Sequence, residues 1–112
     1  MSAFDFNDWQ RQHPFTGEPG TYQYRVMPRI VCADGFQMSV QASQTHYCNP
    51  RENACDTYGS VEVGYPSEAQ PELLEYAEDA DAPTKTVYGF VPVGIVNAIV
   101  NKHGGLATTG AA

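Results

Sequence analysis

Residues 36–42 constrain the fold more than any other stretch, because apolar and polar side chains alternate along it. The apolar side chains share one face of an extended chain; they are Phe36, Met38, Val40 and Ala42. The turn Ala33-Asp34-Gly35 precedes them, and Asp-Gly supplies the positive φ that a tight hairpin turn needs. With Ile30-Val31-Cys32 on the other side of the turn, the pattern predicts an antiparallel hairpin.

Three further segments have the pattern of strands. In residues 21–26, Tyr22, Tyr24 and Val26 alternate with Gln23 and Arg25, and Pro28 either places this predicted strand at a sheet edge or ends it. Short apolar runs predict strands over 61–65 and 86–91. The run 72–76 fits a helix and a strand equally well.

Two helices are predicted at the ends of the chain. The first covers about 5–12, with Phe6 and Trp9 on one face, and the second runs from Pro92 to about His103, before Gly104-Gly105. Five positions of the second helix follow helical spacing, so one face is expected to pack on the sheet: Val93, Val96, Ile99, Val100 and His103.

These elements predict an α+β fold: an antiparallel sheet of four to six strands, with the C-terminal helix packed on it and a short N-terminal helical arm. At 112 residues the chain is long enough for one core. We expect an N-terminal arm over 1–20, a single α+β domain over 21–105 and a flexible tail over 106–112. The arm's aromatic side chains must pack on the domain, on a second copy or on a partner.

The negative charge is concentrated in one segment. The net charge is −7, and residues 52–81 contain nine acids and no lysine or arginine. Such a chain is a poor match for nucleic-acid phosphates or an anionic membrane. The segment fits either a solvated surface or a face that binds a basic partner. The candidate face comprises Glu62, Glu68, Glu72, Glu75, Glu78, Asp79 and Asp81. A divalent-cation site at the last three is a further alternative.

The long polar loop over 43–60 contains most of the other reactive side chains. His46, Cys48 and Cys55 form a candidate zinc set, with Cys32 as a possible fourth ligand, although no Cys-x2–4-Cys knuckle is present. A Cys48–Cys55 disulfide and a Cys48 nucleophile with His46 as its base are two other readings. The simplest alternative is that Tyr47 and Cys48 anchor the loop to the core.

Arg51 is the only lysine or arginine between Ile30 and Pro83. It either forms a salt bridge with a nearby carboxylate or holds a phosphate. With Tyr47, Tyr58 and Tyr65 it forms a candidate nucleotide-binding set, in which tyrosine rings would stack on the base.

The runs SVQASQTHYCNPR, VEVGYPS and VYGFVPV, with the later HGG, resemble a family of short accessory proteins of tailed bacteriophages. The resemblance covers residues 29–105 and none of these runs is a motif with established chemistry. It implies viral origin and a role directed at the host, in the cytoplasm of a bacterium. The first ten residues lack the basic and apolar regions of a secretory signal, so reduced thiols are expected.

These observations favour a non-enzymatic counter-defence protein, such as an anti-CRISPR inhibitor, that blocks a host nucleic-acid-binding complex through its acidic face. The expected partner is a basic host protein or ribonucleoprotein complex, with no cofactor, no direct nucleic-acid binding and no membrane. Two alternatives remain open: a small-ligand binder that forms a homo-oligomer and sequesters a nucleotide signal, and a small structural zinc module.

Overall fold

The computed structural model describes residues 3–18 and 20–107, which form a four-stranded sheet with helices packed on it. The elements, in chain order, are α1 (Phe6–Arg11), β1 (Ile30–Val31), β2 (Gln37–Gln41), β3 (Ser60–Gly64), a 3-10 helix (Pro71–Tyr76), β4 (Val87–Pro92) and α2 (Val93–Lys102). The strands lie in the order β1-β2-β3-β4, and each is antiparallel to its neighbour. The predicted α+β class and antiparallel sheet are confirmed.

The hairpin formed by β1 and β2 follows the alternation in the sequence. Ile30 pairs with Met38, and Val31 pairs with Gln37. In the turn, Gly35 has φ +95°, and the Asp34 carboxylate accepts a hydrogen bond from the Phe36 N–H at 3.0 Å. The four predicted inward side chains are buried: Phe36, Met38, Val40 and Ala42.

A bulge in β4 sets which of its side chains enter the core. Val61 pairs with Val91 and Val63 pairs with Tyr88, so β4 has one residue more than β3 between these pairs. Phe90 has φ +54° and is 49% exposed. The extra residue lets both Tyr88 and Val91 point inward, although they lie three positions apart.

Helix α2 packs on the sheet through Val96, Ile99 and Val100, which are all buried, as the helical spacing predicted. Pro92 is the last residue of β4 and the N-cap of α2, whereas we predicted it as the first helical residue. Its ψ of 137° is extended, because strand and helix meet here without an intervening loop.

Helix α1 packs on the domain itself, which is one of the three outcomes expected for the arm. Asp5 caps it by accepting hydrogen bonds from Asn7 N and Asp8 N. Phe6 is fully buried, and its N–H donates to Asn97 Oδ1 of α2 at 2.8 Å. Asn7 exchanges two hydrogen bonds with the backbone of Tyr58. The aromatic side chain at position 6 is therefore part of the core.

The strand predicted over 21–26 is wrong. Only Tyr24 forms a bridge, to Thr16, and the inward and outward positions are reversed. Tyr22, Tyr24 and Val26 are exposed, whereas Arg25 is buried. The reversal follows from hydrogen bonding, because the Arg25 guanidinium and the Gln41 amide hold this segment in place of a strand ladder.

Two ambiguous or terminal segments complete the structure. The run 72–76 belongs to the 3-10 helix, which starts at Pro71. Leu106 bridges to Cys32, and Ala107 N donates to Val31 O at 2.8 Å, so 106–107 lie along the edge strand β1. The rest of the predicted flexible tail, 108–112, lies outside the described residues. In the part of the chain that the structure describes, no helix has the length and apolar character needed to cross a membrane.

Candidate functional site

The fold spreads the acids of the segment 52–81 over several parts of the structure. Asp56 lies beside α1, with its Oδ1 3.3 Å from Arg11 Nε. Glu62 is on β3, and its Oε1 accepts a hydrogen bond from Tyr47 N at 3.1 Å. Residues 72–81, which we call the acidic edge, follow one another along the 3-10 helix and the turn after it. The acids of the segment therefore do not form one face, and the continuous acidic face is limited to residues 72–81.

The acidic edge lies along the side of β4 that faces away from β3. Ala77 forms a bridge with Tyr88. Glu78 N donates to Val87 O at 2.9 Å, and Asp79 N donates to Thr86 Oγ1 at 3.1 Å. These backbone hydrogen bonds cover the open edge of the sheet with an acidic segment, an arrangement that also discourages edge-to-edge aggregation.

Glu72 is the structural member of the acidic edge. Its Oε2 lies 2.7 Å from Lys102 Nζ of α2, and this hydrogen bond lowers the pKa of the Glu72 carboxyl. Its Oε1 is buried and has no hydrogen-bond partner among the described residues. The charge of Glu72 is therefore used to hold the 3-10 helix against α2.

The remaining carboxylates of the acidic edge face solvent. Within residues 3–18 and 20–107 they form no ion pair; they are Glu75, Glu78, Asp79 and Asp81. Asp79 Oδ1 accepts a hydrogen bond from Asp81 N at 3.1 Å, which fixes the turn. Glu68, exposed in the loop before the 3-10 helix, is a further unpaired acid there. A strip of exposed negative charge is therefore present on this edge of the sheet.

Neither predicted metal set is assembled. Among the residues that the structure describes, no three His, Cys, Asp or Glu side chains are grouped so that they could hold a metal ion. This applies to Glu78, Asp79 and Asp81, and to the zinc set of His46, Cys48 and Cys55. In the zinc set each side chain has a different local partner, as the hydrogen bonds of the loop show.

The thiols of the 43–60 loop are hydrogen-bond donors to carbonyl groups. Cys48 Sγ donates to Ser43 O at 3.1 Å, and Cys55 Sγ donates to Thr57 O at 3.1 Å. Both are free thiols, so the disulfide reading is wrong for this structure. Burial raises the pKa of the Cys48 thiol, which keeps it protonated and poorly nucleophilic.

His46 Nδ1 lies 2.6 Å from Ser43 Oγ, so the structure pairs this imidazole with a hydroxyl rather than with the Cys48 thiol. Burial is the main cause that lowers the pKa of His46. The hydrogen bond belongs to a local turn, in which Ser43 Oγ also accepts from Thr45 N at 3.1 Å. The simplest reading, in which Tyr47 and Cys48 both anchor the loop, is correct only for Cys48, which is 1% exposed, because the Tyr47 side chain is 48% exposed.

The candidate nucleotide set is only partly brought together. The Arg51 guanidinium lies over the Tyr47 ring, 5.6 Å from its centroid, and no carboxylate of the described chain pairs with it. Tyr58 is fully buried, and its hydroxyl donates to Glu52 O at 2.6 Å. Tyr65 directly follows β3, and its carbonyl accepts a hydrogen bond from Arg29 Nη2. Tyr58 is thus a core residue that cannot stack on a base.

Sequence reasoning missed Arg25, which is only 9% exposed. Its guanidinium binds backbone carbonyls of two other segments, Gln10 in α1 and Ala42 after β2. A polar residue between two tyrosines and a valine predicts a solvent-facing position, so the local pattern contained no signal for this burial. The missing signal was tertiary, because the acceptors lie 15 and 17 positions away.

We compared the chain with protein-family models, with curated proteins and with solved structures, and none of the three comparisons found a match. The function of the chain therefore has to be inferred from the geometry and charge of its own residues.

Proposed function

We propose that this chain is a non-enzymatic inhibitor whose acidic edge occupies a basic, nucleic-acid-binding groove of a partner protein or ribonucleoprotein. The observation that carries the proposal is the strip of exposed carboxylates without ion-pair partners in the described structure, at Glu75, Glu78, Asp79 and Asp81. Two of the four are fixed to the edge of the sheet by their backbone: Glu78 N donates to Val87 O of β4, and Asp79 N donates to Thr86 Oγ1. These two charges are therefore held on a fixed support and need little ordering on binding.

Electrostatics favour this kind of partner over nucleic acid or membrane. The net charge of −7 repels phosphates and attracts lysine- and arginine-rich surfaces. Complementary fields accelerate association and make binding sensitive to salt. The proposed interface gains specificity from the position of the strip, because Asp56 and Glu62 lie elsewhere on the surface and are engaged by Arg11 and Tyr47 N.

The resemblance to accessory proteins of tailed bacteriophages directs the proposal toward a host target. In that setting the partner is a defence complex that itself binds DNA or RNA, such as a nuclease or a CRISPR ribonucleoprotein in the bacterial cytoplasm. This part of the proposal depends on the resemblance, whereas the choice of a basic groove depends on the charges of the acidic edge.

The test uses displacement of a nucleic acid as its readout. A fluorescent duplex is bound to a purified CRISPR effector or defence nuclease, and the chain is added over a series of salt concentrations. We expect the chain to release the duplex, with an apparent affinity that falls as salt rises. The variant Glu75→Gln/Glu78→Gln should lose roughly tenfold or more in affinity, which corresponds to about 1.4 kcal/mol.

The matched control is Glu18→Gln/Glu52→Gln, which removes the same number of charges from exposed positions outside the acidic edge. It should stay close to the wild-type affinity. Equal losses in the two double variants would show that only net charge matters, and this would contradict a defined acidic face. Affinity that does not change with salt or with either double variant would refute the proposal.

A further inference from the structure

His103, the C-cap of α2, connects three parts of the fold. Its side chain is only 11% exposed and lies on the ring of Phe36. Its Nδ1 is 2.6 Å from Asp34 Oδ2, in the turn of the β1–β2 hairpin. Its Nε2 is 3.2 Å from Gln70 Oε1, and Gln70 is the N-cap of the 3-10 helix. Both ring nitrogens of this imidazole therefore have a partner.

Both partners of the imidazole are hydrogen-bond acceptors. The Phe36 N–H, and secondly the hydrogen bond with His103, lower the pKa of Asp34, so its carboxylate is ionised near neutral pH and can only accept. The orientation of the Gln70 amide is fixed by its other contact, because its Nε2 donates to Ala69 O at 3.1 Å. The opposite orientation would place two oxygens against each other. Gln70 therefore presents its carbonyl oxygen to His103.

Two acceptors require two donors, so the contacts of His103 are complete only when the imidazole is doubly protonated and positively charged. Loss of one proton leaves a lone pair on one ring nitrogen. If Nδ1–H is kept for Asp34, the lone pair of Nε2 faces Gln70 Oε1 at 3.2 Å, and this contact is repulsive. Gln70 is 3% exposed, so little water can replace the lost hydrogen bond. The Gln70 amide must then turn away from the imidazole.

The charged groups around His103 come from three elements. Asp34 in the hairpin turn is its direct partner. Glu72 of the 3-10 helix and Lys102 of α2 form an ion pair with each other at 2.7 Å, so their charges largely cancel at His103. Cys32, which precedes the turn, stays neutral because burial, with a smaller contribution from Asp34, raises its pKa to about 11. Asp34 is therefore the charge that favours the protonated imidazole.

We propose that His103 forms a pH-sensitive contact between α2 and the 3-10 helix with which the acidic edge begins. The protonated imidazole holds Gln70, whose carbonyl oxygen accepts from Leu73 N at 3.0 Å in the first turn of that helix. The neutral imidazole releases Gln70, whereas the ion pair of Lys102 with Glu72 keeps the helix attached. A rise in pH through the range in which histidines titrate therefore loosens the start of the helix. The proposal does not depend on the function proposed above.

The test follows the wild-type protein by NMR from about pH 5 to about pH 8.5. The ring nitrogens of His103 report its protonation directly. We expect the two hydrogens of the Gln70 side-chain amide to shift along the same titration curve as these nitrogens. The Leu73 N–H should follow the same curve, because it donates to Gln70 O.

The other two histidines are internal references for this titration. His13 Nδ1 lies beside Trp9 O, and His46 Nδ1 lies beside Ser43 Oγ, so neither imidazole has Gln70 as a partner. The resonances of Gln70 should therefore follow His103 and neither of these two.

The discriminating variant is Gln70→Met, which keeps the length of the side chain and removes the acceptor for Nε2. It should lower the midpoint of the His103 titration by about half a pH unit or more, because the charged imidazole loses a hydrogen bond. The matched control is Gln12→Met, at the exposed C-cap of α1. It should leave the midpoint within about 0.1 pH unit of the wild-type value.

Two results would overturn the proposal. One is a wild-type titration in which the Gln70 side-chain amide does not follow His103, a measurement that does not rely on a variant folding correctly. The other is the same His103 midpoint in Gln70→Met, Gln12→Met and the wild type, which would show that the Gln70 oxygen does not sense the proton on Nε2.

Discussion

The imidazole of His103 lies flat on the ring of Phe36, with centroids 4.2 Å apart and planes at 10° to each other. His103 Nδ1 is 2.6 Å from Asp34 Oδ2, and its Nε2 is 3.2 Å from Gln70 Oε1. One side chain at the end of α2 therefore joins the turn of the β1–β2 hairpin to the residue that precedes the 3-10 helix. We call this set of three contacts the His103 clasp.

Removal of the His103 clasp should destabilise the fold. His103→Ala loses a stacked ring and two hydrogen bonds, and we expect a loss of about 2 kcal/mol in the free energy of unfolding. His103→Phe keeps a ring against Phe36 and should lose roughly half as much. Urea unfolding followed by circular dichroism measures both. A change of less than about 0.5 kcal/mol in His103→Ala would place this residue among ordinary surface positions.

The carboxylate in the His103 clasp should make stability depend on pH in acid. The Phe36 N–H, and secondly the hydrogen bond with His103, lower the pKa of Asp34. A folded-state pKa below the unfolded value stabilises the fold above the unfolded pKa, and this stability is lost as pH falls through the folded pKa.

The stability difference between the wild type and Asp34→Asn should therefore be constant from about pH 5 to 6 and shrink below about pH 4. Urea titrations at several pH values measure this difference. The same difference at about pH 2.5 and at about pH 5.5 would contradict the assignment.

The bulge in β4 leads to a prediction about which substitutions Phe90 tolerates. With φ +54°, this residue is in the left-handed region, where a β-carbon costs about 1 kcal/mol. Phe90→Gly should therefore be more stable than Phe90→Ala by about that amount, since both lose the same contact with Tyr47. At Val87, on the same strand without a positive φ, the order should be reversed. Thermal unfolding of the four variants tests this order of stability. An alanine variant that is more stable than the glycine variant at both positions would contradict the prediction.

The three thiols should react in a fixed order. Cys32 and Cys48 are each 1% exposed, whereas Cys55 is partly exposed. Burial, with a smaller contribution from Asp34, raises the pKa of Cys32 to about 11. A thiol reagent added to the native protein near pH 8 should therefore modify Cys55 first, and the other two only after unfolding. Mass spectrometry of the modified peptides measures the order, and rapid native labelling of Cys32 would refute it.

Sequence reasoning correctly predicted those parts of the fold in which hydrophobic burial alone decides which side chains point inward. Residues 36–42 and α2 have an apolar face that can only point into the core, so periodicity was sufficient. The segment 21–26 has the same alternation and the opposite outcome. There, Arg25 is buried because its guanidinium donates hydrogen bonds to carbonyl groups in α1 and after β2. The local sequence pattern does not indicate that these distant acceptors are present.

The candidate site was predictable to the same extent. Counting charges located the acidic segment, and the segment contains the acidic edge. The separation of Asp56 and Glu62 from that edge depends on partners far along the chain, Arg11 for one and Tyr47 for the other. The burial of Arg25 was not predictable, because its carbonyl acceptors come from segments that only the fold brings together.

The hydrogen bond from Phe6 N to Asn97 Oδ1 joins residues 91 positions apart, and it has a consequence for synthesis. Among the described elements α1 leaves the ribosome first, and Asn97 follows 91 residues later. Until Asn97 has emerged, Phe6 has neither its acceptor nor the α2 surface against which α1 packs. A nascent chain therefore exposes this phenylalanine until α2 has been made, and interruption of synthesis before α2 would leave the apolar side chain accessible to chaperones and proteases.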